Sequence, residues 1–254
     1  MKDFDITEAA KALAPSGILR ATINVGNPIL ARRAEVQDGV AGVSVDLART
    51  LAGRLGVPLE LVVLDAAGKA VTAVEEGQAD IGFFARDPGR YGLIAFTAPY
   101  VLIEGCYLVR ENSVVAAMAD VDVAEHTLVV GNGSAYDLYL TREICNATIE
   151  GAATSPAVVQ HFLDMGAEVA AGVRQQLEQD AERFGGLRLL PGRFMVIKQA
   201  MGVARTHGTL AENFLTAFVE SVKSDGLVAD FLKANGVDAV SVAPLTANVD
   251  VVVG

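Results

Sequence analysis

Five polar side chains lie in loops next to strand-like or helix-like segments, and their types suit the binding of a small charged molecule. They are Asn24, Asn27, Lys69, Arg90 and Arg174. An arginine can donate two parallel hydrogen bonds to the two oxygens of a carboxylate, and an asparagine amide both donates and accepts. Taken without its surroundings, Arg90 fits a surface arginine in a loop better than a binding residue. Lys69 fits a helix-surface lysine equally well.

The bulk composition limits the classes of function. The chain has 254 residues, of which 52% are hydrophobic, and its net charge is −11. A chain this apolar can bury a core and is not expected to be disordered. Strong acidity disfavours nucleic acid as a partner, because phosphate binding depends on clustered lysine and arginine. An anionic small ligand stays possible, since one pocket can be basic on an acidic surface.

Neither a metal nor a cofactor is predicted. The two cysteines, Cys106 and Cys145, and the three histidines show no spacing typical of metal ligands or of a redox pair. Both thiols are expected to be free and buried. No apolar run is long enough to cross a membrane, which predicts a soluble chain.

Strand-like and helix-like segments alternate along the chain, which predicts the α/β class. The first unit contains strands at residues 19–24, 59–64 and 79–84, with helices from residue 43 and over 69–76. This βαβαβ order requires a parallel sheet with right-handed crossovers. A second α/β unit has strands at 127–130, 147–149 and 169–173 and helices from 134, over 156–163 and from 175.

Parallel sheets bind ligands beyond the carboxyl ends of their strands. The loops expected to carry a site are therefore residues 24–27, 65–69, 84–90, 131–136 and 173–175. Two sheets with such edges facing each other would enclose a cleft, which is a common location for a ligand.

Three stretches resemble the family-3 extracellular solute-binding proteins, the amino-acid and polar-solute receptors of ABC transporters. The first is GVAGVSVDLA at residues 39–48, which follows the strand at 19–24. The second combines Gly77 and Asp80 with Arg90 and FTAPY at 96–100, and the third is GNGS at 131–134. The resemblance covers residues 17–237, and its most specific part is the segment from Arg90 to Tyr100.

The resemblance implies the two-lobed fold of the type 2 periplasmic binding proteins. Each lobe would be a mostly parallel sheet flanked by helices, with hinge crossings near residues 107–110 and 197–199. Lobe 1 would comprise 1–108 and 199–254, and lobe 2 would comprise 109–198. The family also implies a monomer that closes on its ligand, with an ABC-transporter permease as partner.

The resemblance also assigns binding roles. Arg90 would bind a carboxylate of the ligand, and Phe84 and Ala85 of the same loop would also contact the ligand. The second lobe would add the start of a helix, where unpaired N–H groups favour anions. The residues expected there are Ser134, Ala135 and Tyr136, with Arg174 and Gln175 from a neighbouring loop. Ser134 could equally serve as a helix N-cap.

Four departures from the family pattern bear on the ligand. Asn27 stands where the family has an aromatic ring, and a second aromatic is missing near Ala67. Ala85 replaces a hydroxyl residue, and Arg174 stands near the place of an acid that holds the ligand's ammonium. Arg174 would repel an ammonium and attract a second carboxylate. The sequence therefore predicts an organic acid, or an acid with an amide or imidazole group, rather than a zwitterionic amino acid.

Two other functions stay open. One is an enzyme on the same fold, similar to the cyclohexadienyl dehydratases, for which the available loop carboxylates are Asp65, Asp87 and Asp137. The other is a cytoplasmic small-molecule sensor. The first eight residues contain three acids and no apolar stretch, unlike a secretory signal. The chain is expected to be periplasmic if a signal peptide has been removed, and cytoplasmic otherwise.

Overall fold

The chain divides into two compact units. The computed structural model describes residues 4–36, 38–238 and 240–246. Unit 1 consists of Met1–Leu102 and Lys198–Gly254, and unit 2 consists of Ile103–Ile197. The assignment of lobes with boundaries after residues 108 and 198 stays a prediction.

The described residues have the predicted α/β class. Their strands are β1 (Leu19–Asn24), β2 (Arg32–Arg33), β3 (Val40–Ala41), β4 (Leu59–Leu64), β5 (Ile81–Ala85), β6 (Ile94–Arg110), β7 (Thr127–Gly131), β8 (Thr148–Ala152), β9 (Val169–Val173), β10 (Leu187–Leu189), β11 (Met195–Ala204) and β12 (Ser241–Val242). Their α-helices are α1 (Ile6–Leu13), α2 (Val43–Leu55), α3 (Ala67–Glu75), α4 (Ala135–Glu143), α5 (Val158–Met165), α6 (Arg174–Phe184), α7 (Gly208–Ser224) and α8 (Leu227–Ala234).

In unit 1, β1 lies between two parallel neighbours. It pairs with β4 over its whole length, from Leu19 opposite Leu59 to Asn24 opposite Leu64, and with β5 at Ala21 opposite Ile81. On its far side β5 pairs with β11, which is antiparallel. The carboxyl ends of β1, β4 and β5 therefore share one edge of the sheet. The predicted bounds of β1 and β4 are confirmed.

A buried ion pair joins β1 to the start of β5. Asp80 is fully buried, and its carboxylate accepts from the backbone N–H of Arg20 at 2.8 Å. The Arg20 guanidinium meets the same carboxylate with Nη2 at 2.6 Å and Nε at 3.2 Å. Arg20 also donates to the carbonyl of Gly77. The Gly77 and Asp80 part of the sequence pattern therefore stabilises the sheet.

The FTAPY segment has structural contacts as well. The Thr97 hydroxyl accepts from the backbone N–H of Met201 at 3.1 Å, which joins β6 to β11. The Tyr100 carbonyl accepts from the N–H of Ala243. Lys223, on α7, donates to the carbonyls of Pro99 and of Pro244. These bonds attach residues 240–246 to the rest of unit 1, while residues 247–254 lie outside the described part of the chain.

Unit 2 has a similar layout. Its parallel strands lie in the order β9-β7-β8, and β6 pairs antiparallel with β9, with Gly105 opposite Val173. A core cluster joins Cys106 and Leu108 of β6 to Val159 and Phe162 of α5 and Leu177 of α6. Helices α4, α5 and α6 each follow the carboxyl end of a parallel strand, so one edge of this sheet also collects their first residues.

The Asp122 side chain stabilises the turn that precedes β8. Its carboxylate accepts three backbone N–H bonds, from Cys145 at 3.0 Å, Asn146 at 2.7 Å and Ala147 at 2.8 Å. These bonds, that from Ala147 foremost, hold the pKa of Asp122 below its ordinary value. The ionised carboxylate therefore stabilises this turn.

The structure differs from the sequence expectations at Cys145 and at helix α1, and several predicted strand and helix bounds are shifted by one to three residues. Cys106 is buried as expected, but Cys145 is exposed, because it lies in the polar turn that Asp122 caps. Helix α1 was not predicted from sequence; it begins at the N-cap Asp5, in a segment interpreted only by its acidity. Among the described residues, no helix is both long and apolar enough to cross a membrane.

Replacing Asp80 should destabilise the protein strongly. In Asp80→Ala the Arg20 guanidinium loses a buried bidentate partner, and we expect the free energy of unfolding to fall by about 3 kcal/mol. The measurement is equilibrium unfolding in urea. Asp225→Ala is the control, because Asp225 pairs with Arg54 at 3.3 Å but its side chain is 54% exposed. Equal losses in both variants would contradict this role of Asp80.

Asp122 should make stability depend on pH. Because its pKa is lowered in the folded chain, it stabilises the fold above the ordinary carboxyl pKa of about 3.9, and this contribution disappears as the pH falls through the lowered value. We expect Asp122→Asn to be less stable than the wild type at pH 7 and to approach it at acid pH, as measured by thermal unfolding. The exposed Glu125→Gln is the control; a pH-independent difference for Asp122→Asn would exclude this role.

Candidate functional site

The first loop of unit 1 packs tightly against the loop that follows β4. The N–H of Val25 donates to the carbonyl of Leu64 at 2.8 Å, and the Asn24 side chain accepts from the N–H of Gly26 at 2.9 Å. A Cβ on Gly26 would lie 2.2 Å from the backbone oxygen of Asp65. Only glycine fits there, so the loops after β1 and β4 have a fixed spacing at this edge.

Arg90 is a buried arginine beside the end of β5. It is the last residue of a short 3₁₀ helix, Pro88–Arg90. The Asp87 carboxylate caps this helix by accepting a hydrogen bond from the N–H of Gly89 at 2.8 Å. Only 6% of Arg90 is exposed, and its Nη1 donates to the carbonyl of Ala85 at 3.2 Å. A surface arginine would be mostly exposed. The burial therefore argues against the interpretation of Arg90 as a surface arginine.

The charges around Arg90 keep it in the form that binds anions. Burial lowers the pKa of its guanidinium from the ordinary value, and the carboxylates of Asp87 and Glu75 oppose that shift. An arginine stays charged at neutral pH even so. A buried guanidinium in a region of low dielectric attracts an anionic group more strongly than an exposed one does.

The two residues predicted beside Arg90 are placed differently from each other. Ala85 ends β5, is 7% exposed, and contacts Arg90 through its carbonyl. Phe84 is 2% exposed and belongs to a core cluster with Val74 and Ile94, where its ring meets that of Phe96 edge-on at 6.1 Å. The contacts of Phe84 are thus core contacts, since its side chain points to the opposite face of the strand from that of Ala85.

The remaining residues predicted in unit 1 differ in exposure. Asn27 is half-buried; its side-chain oxygen is buried and meets no hydrogen-bond donor among the described residues. Lys69 is 62% exposed and pairs with Asp65 one turn away at 2.8 Å, which lowers the pKa of Asp65. This geometry is that of a helix-surface lysine. Asn24 and Asn27 lie at the shared edge of β1, β4 and β5.

In unit 2, the start of α4 is capped from within the chain. Ser134 is the N-cap and accepts from the N–H of Asp137 at 3.0 Å, while the Asp137 carboxylate accepts from the N–H of Gly133 at 2.7 Å. Ser134 is thus an N-cap, one of its two predicted roles. Its cap leaves the N–H groups of Ala135 and Tyr136 as the helix donors closest to the edge.

Tyr136 lies near the ends of β7 and β8. It is 3% exposed, and burial raises the pKa of its hydroxyl, which lies beside Ser155 and Ser134. A Cβ on Gly131 would lie 2.7 Å from that hydroxyl and 2.9 Å from the Ser155 Oγ. Ser155 thus belongs to this edge, although the sequence analysis did not select it.

Arg174 begins α6 directly after β9 and is heavily paired. Its Nε donates to Glu104 at 2.7 Å and its Nη2 to the carbonyl of Gly192 at 2.9 Å. Glu178 lies 3.8 Å from its Nη1. Gln175, the next residue, is 8% exposed. The predicted position of Arg174 at the strand end therefore comes with acidic partners that the sequence analysis did not consider.

Glu104 and Arg193 are the charged residues that the sequence analysis missed. Arg193 Nη1 lies 2.5 Å from Glu104 Oε1, so Glu104 bridges two arginines. The three residues are 19 or more positions apart in the chain, and only the antiparallel pairing of β6 with β9 brings Glu104 next to Arg174. Glu104 is the one acidic residue in the largely apolar strand β6, and this isolation could have marked it as facing a different environment from its neighbours.

Comparison with known proteins identifies the fold. A putative binding component of an ABC transporter from Wolinella succinogenes, complexed with lysine, has a TM-score of 0.75 and 23% identity, covering 88% of this chain and 97% of that chain. The solute receptor for L-cysteine of Neisseria gonorrhoeae has a TM-score of 0.75 and 21% identity, covering 90% and 93%. These likenesses establish the type 2 periplasmic-binding-protein fold.

A third similar structure is an ancestral amino-acid-binding protein, a precursor of cyclohexadienyl dehydratase. Its TM-score is 0.72 at 17% identity, and the match covers 87% of this chain and 96% of that chain. No curated protein matches the sequence.

The sequence itself matches a family model over most of its length. The match is to the bacterial extracellular solute-binding proteins, family 3, and spans residues 27–235. This range includes Asn27, Arg90, the start of α4 and Arg174. The chain belongs to the bacterial extracellular solute-binding proteins of family 3.

Proposed function

We propose that this solute-binding protein binds a small solute that carries a carboxylate, and that Arg90 binds that carboxylate. The observation that carries the proposal is a guanidinium that is only 6% exposed, next to the end of β5. Two parallel, charge-assisted hydrogen bonds from such a group give both affinity and orientation. The side-chain amides of Asn24 and Asn27 at the same sheet edge suit hydroxyl or carbonyl groups of the same solute.

The ligand is an organic acid, or an acid with an amide or imidazole group, rather than a zwitterionic amino acid. A zwitterion needs an acceptor for its ammonium group. At the carboxyl end of β9 the first side chain is Arg174, and the carboxylate of Glu104 next to it is already bridged by two arginines. This arrangement favours a ligand without an ammonium group.

We propose binding rather than catalysis. The three loop carboxylates considered for acid–base chemistry are occupied: Asp65 by Lys69, Asp87 by the N–H of Gly89, and Asp137 by the N–H of Gly133. Burial raises the pKa of the Cys106 thiol to about 11, so this cysteine is a protonated thiol at neutral pH and a poor nucleophile. Conversion of prephenate or arogenate by the purified protein would contradict this part of the proposal.

The family also bears on where the protein acts and on its partner. We propose that the protein acts as a monomer on the extracellular or periplasmic side of the membrane and delivers its solute to an ABC-transporter permease. The family description as extracellular solute-binding proteins supports this setting. A requirement for the chain in uptake of the bound acid by intact cells would test it.

Replacing Arg90 should weaken binding strongly without unfolding the chain. We expect a thermal-shift screen of organic acids and amino acids to identify carboxylic acids that stabilise the wild type. Calorimetry with the best of them should give an affinity at least about 100-fold weaker for Arg90→Gln, because two charge-assisted hydrogen bonds are lost.

Arg86→Gln is the matched control, since Arg86 lies in the same loop but is exposed and packs over the ring of Tyr91. Its affinity should stay close to that of the wild type. Unchanged affinity in Arg90→Gln, or tight binding of lysine or arginine with none of the organic acids, would contradict the proposed function.

A further inference from the structure

Three cationic and two apolar side chains lie close together on the surface of unit 1. They come from the residue after β5, the segment before β6, strand β11 and the residue that follows it. Tyr91 is 40% exposed and Leu93 is 59% exposed, and the three cationic residues are exposed as well. This group of Arg86, Tyr91, Leu93, Lys198 and Arg205 is named the basic patch below.

Tyr91 connects the members of the basic patch. The Arg86 guanidinium lies over the Tyr91 ring, 5.9 Å from its centroid. Arg205 donates from Nε and from Nη2 to the Tyr91 carbonyl, both at 3.4 Å. The backbone N–H of Arg205 also donates to the carbonyl of Leu93 at 2.9 Å. The basic patch is therefore one continuous surface held by specific contacts.

The backbone places two of the cations opposite each other. Strand β11 pairs with β5 as far as Gln199 opposite Ala85, and one residue further the N–H of Arg86 donates to the carbonyl of Lys198 at 2.9 Å. Like charges directly opposite each other on paired strands are destabilising. Neither Arg86 nor Lys198 forms an ion pair with any residue in the described part of the chain. Stabilisation of the fold therefore does not explain this pair of charges.

The basic patch is positive on a protein that is otherwise strongly acidic, with a net charge of −11. The acids next to it are paired or buried. Glu212 lies 3.7 Å from Nη1 of Arg205, and Asp87 is 4% exposed and accepts from the N–H of Gly89. A positive region on a negative molecule orients that molecule towards a negative partner.

We infer that the basic patch docks an acidic segment of a partner protein, one that presents carboxylates around an apolar side chain. Carboxylates suit Arg86 and Lys198, whose charges have no acidic partner among the described residues. Tyr91 and Leu93 supply the apolar contact, and tyrosine and arginine are enriched at protein interfaces. An anionic membrane is a poorer match, because its whole surface repels a protein of this net charge, whereas a short segment meets the basic patch alone.

The basic patch borders the loop that carries Arg90 but does not include that residue. Arg86 and Tyr91 flank residues 87–90, and Arg90 itself is only 6% exposed. A partner on the basic patch therefore touches the outside of this loop, while the Arg90 guanidinium stays buried. The inference consequently does not depend on which solute the protein binds.

The probe is the blocked peptide acetyl-ELEELE-amide, and its match is acetyl-QLQQLQ-amide, which keeps the leucines without the charges. The isotope-labelled full chain is titrated with each peptide at low ionic strength and followed by NMR. The acidic peptide should bind at least about tenfold more tightly than the neutral one, because about three exposed ion pairs each contribute roughly two- to threefold. The backbone amide signals that shift should be those of residues 86–93, 198 and 205.

Removing the two unpaired cations should reduce this preference. Arg86→Gln combined with Lys198→Gln should lower it at least about fourfold. The same variant should unfold at the wild-type temperature or above it, because two like charges are no longer opposite each other. The matched control combines Arg183→Gln with Lys233→Gln. Arg183 also lies over an aromatic ring, that of Phe184 at 4.2 Å, and Lys233 is also exposed.

The control variant changes the net charge by the same amount and should keep the wild-type preference. Leu93→Ser tests the apolar contact separately. It removes the more exposed of the two apolar side chains and should weaken both peptides at least about threefold, with the preference between them unchanged.

Four outcomes would overturn the inference. They are equal affinity for the two peptides, equal loss of preference in the control variant, signal shifts confined to other residues, and a lower unfolding temperature for Arg86→Gln with Lys198→Gln, which would give the two cations a structural role. Cosedimentation with phosphatidylglycerol vesicles that this variant abolishes would assign the basic patch to a membrane instead. Each of these results leaves the Arg90 test of the proposed function unaffected.

Discussion

A charged guanidinium with almost all of its surface buried is the constraint around which the carboxyl edge of the sheet in unit 1 is organised. Arg90 donates to the Ala85 carbonyl and lies in the field of Asp87 and Glu75. Burying a charge is costly unless polar groups surround it, so the chain must place a strand end, a capped turn and acidic neighbours around this one residue. The parallel arrangement of β1, β4 and β5 provides that edge, and Asp80 with Arg20 keeps the strands in place.

The residues of the family pattern divide into two groups by what they contact. Asp80, Thr97 and Tyr100 hydrogen-bond to backbone or to buried partners and stabilise the sheet of unit 1. Within that pattern, Arg90 is the side chain that suits an anionic ligand. In this chain most of the family pattern therefore stabilises the sheet, while Asn27, Glu104 and Arg174 lie outside the pattern.

Much of the fold could be predicted from the sequence because apolar runs bounded by glycine, proline or polar residues mark the parallel strands. The predicted limits of β1, β4 and β9 agree with the structure. Helix α1 was missed because its short apolar face lies in an acidic segment. Glu104 and Arg193 were missed for a different reason. Their proximity to Arg174 depends on antiparallel pairing between distant segments, and spacing along the chain contains no information about that pairing.

The central claim is that the protein recognises a carboxylate through a charged, buried arginine. The most direct test changes the ligand and not the protein: the affinity of the wild type for its tightest-binding monocarboxylate is compared by calorimetry with its affinity for the corresponding methyl ester. The ester keeps the shape but loses the charge and one of the two equivalent oxygens. We expect the ester to bind at least about 100-fold more weakly. Equal affinity for acid and ester would contradict the account.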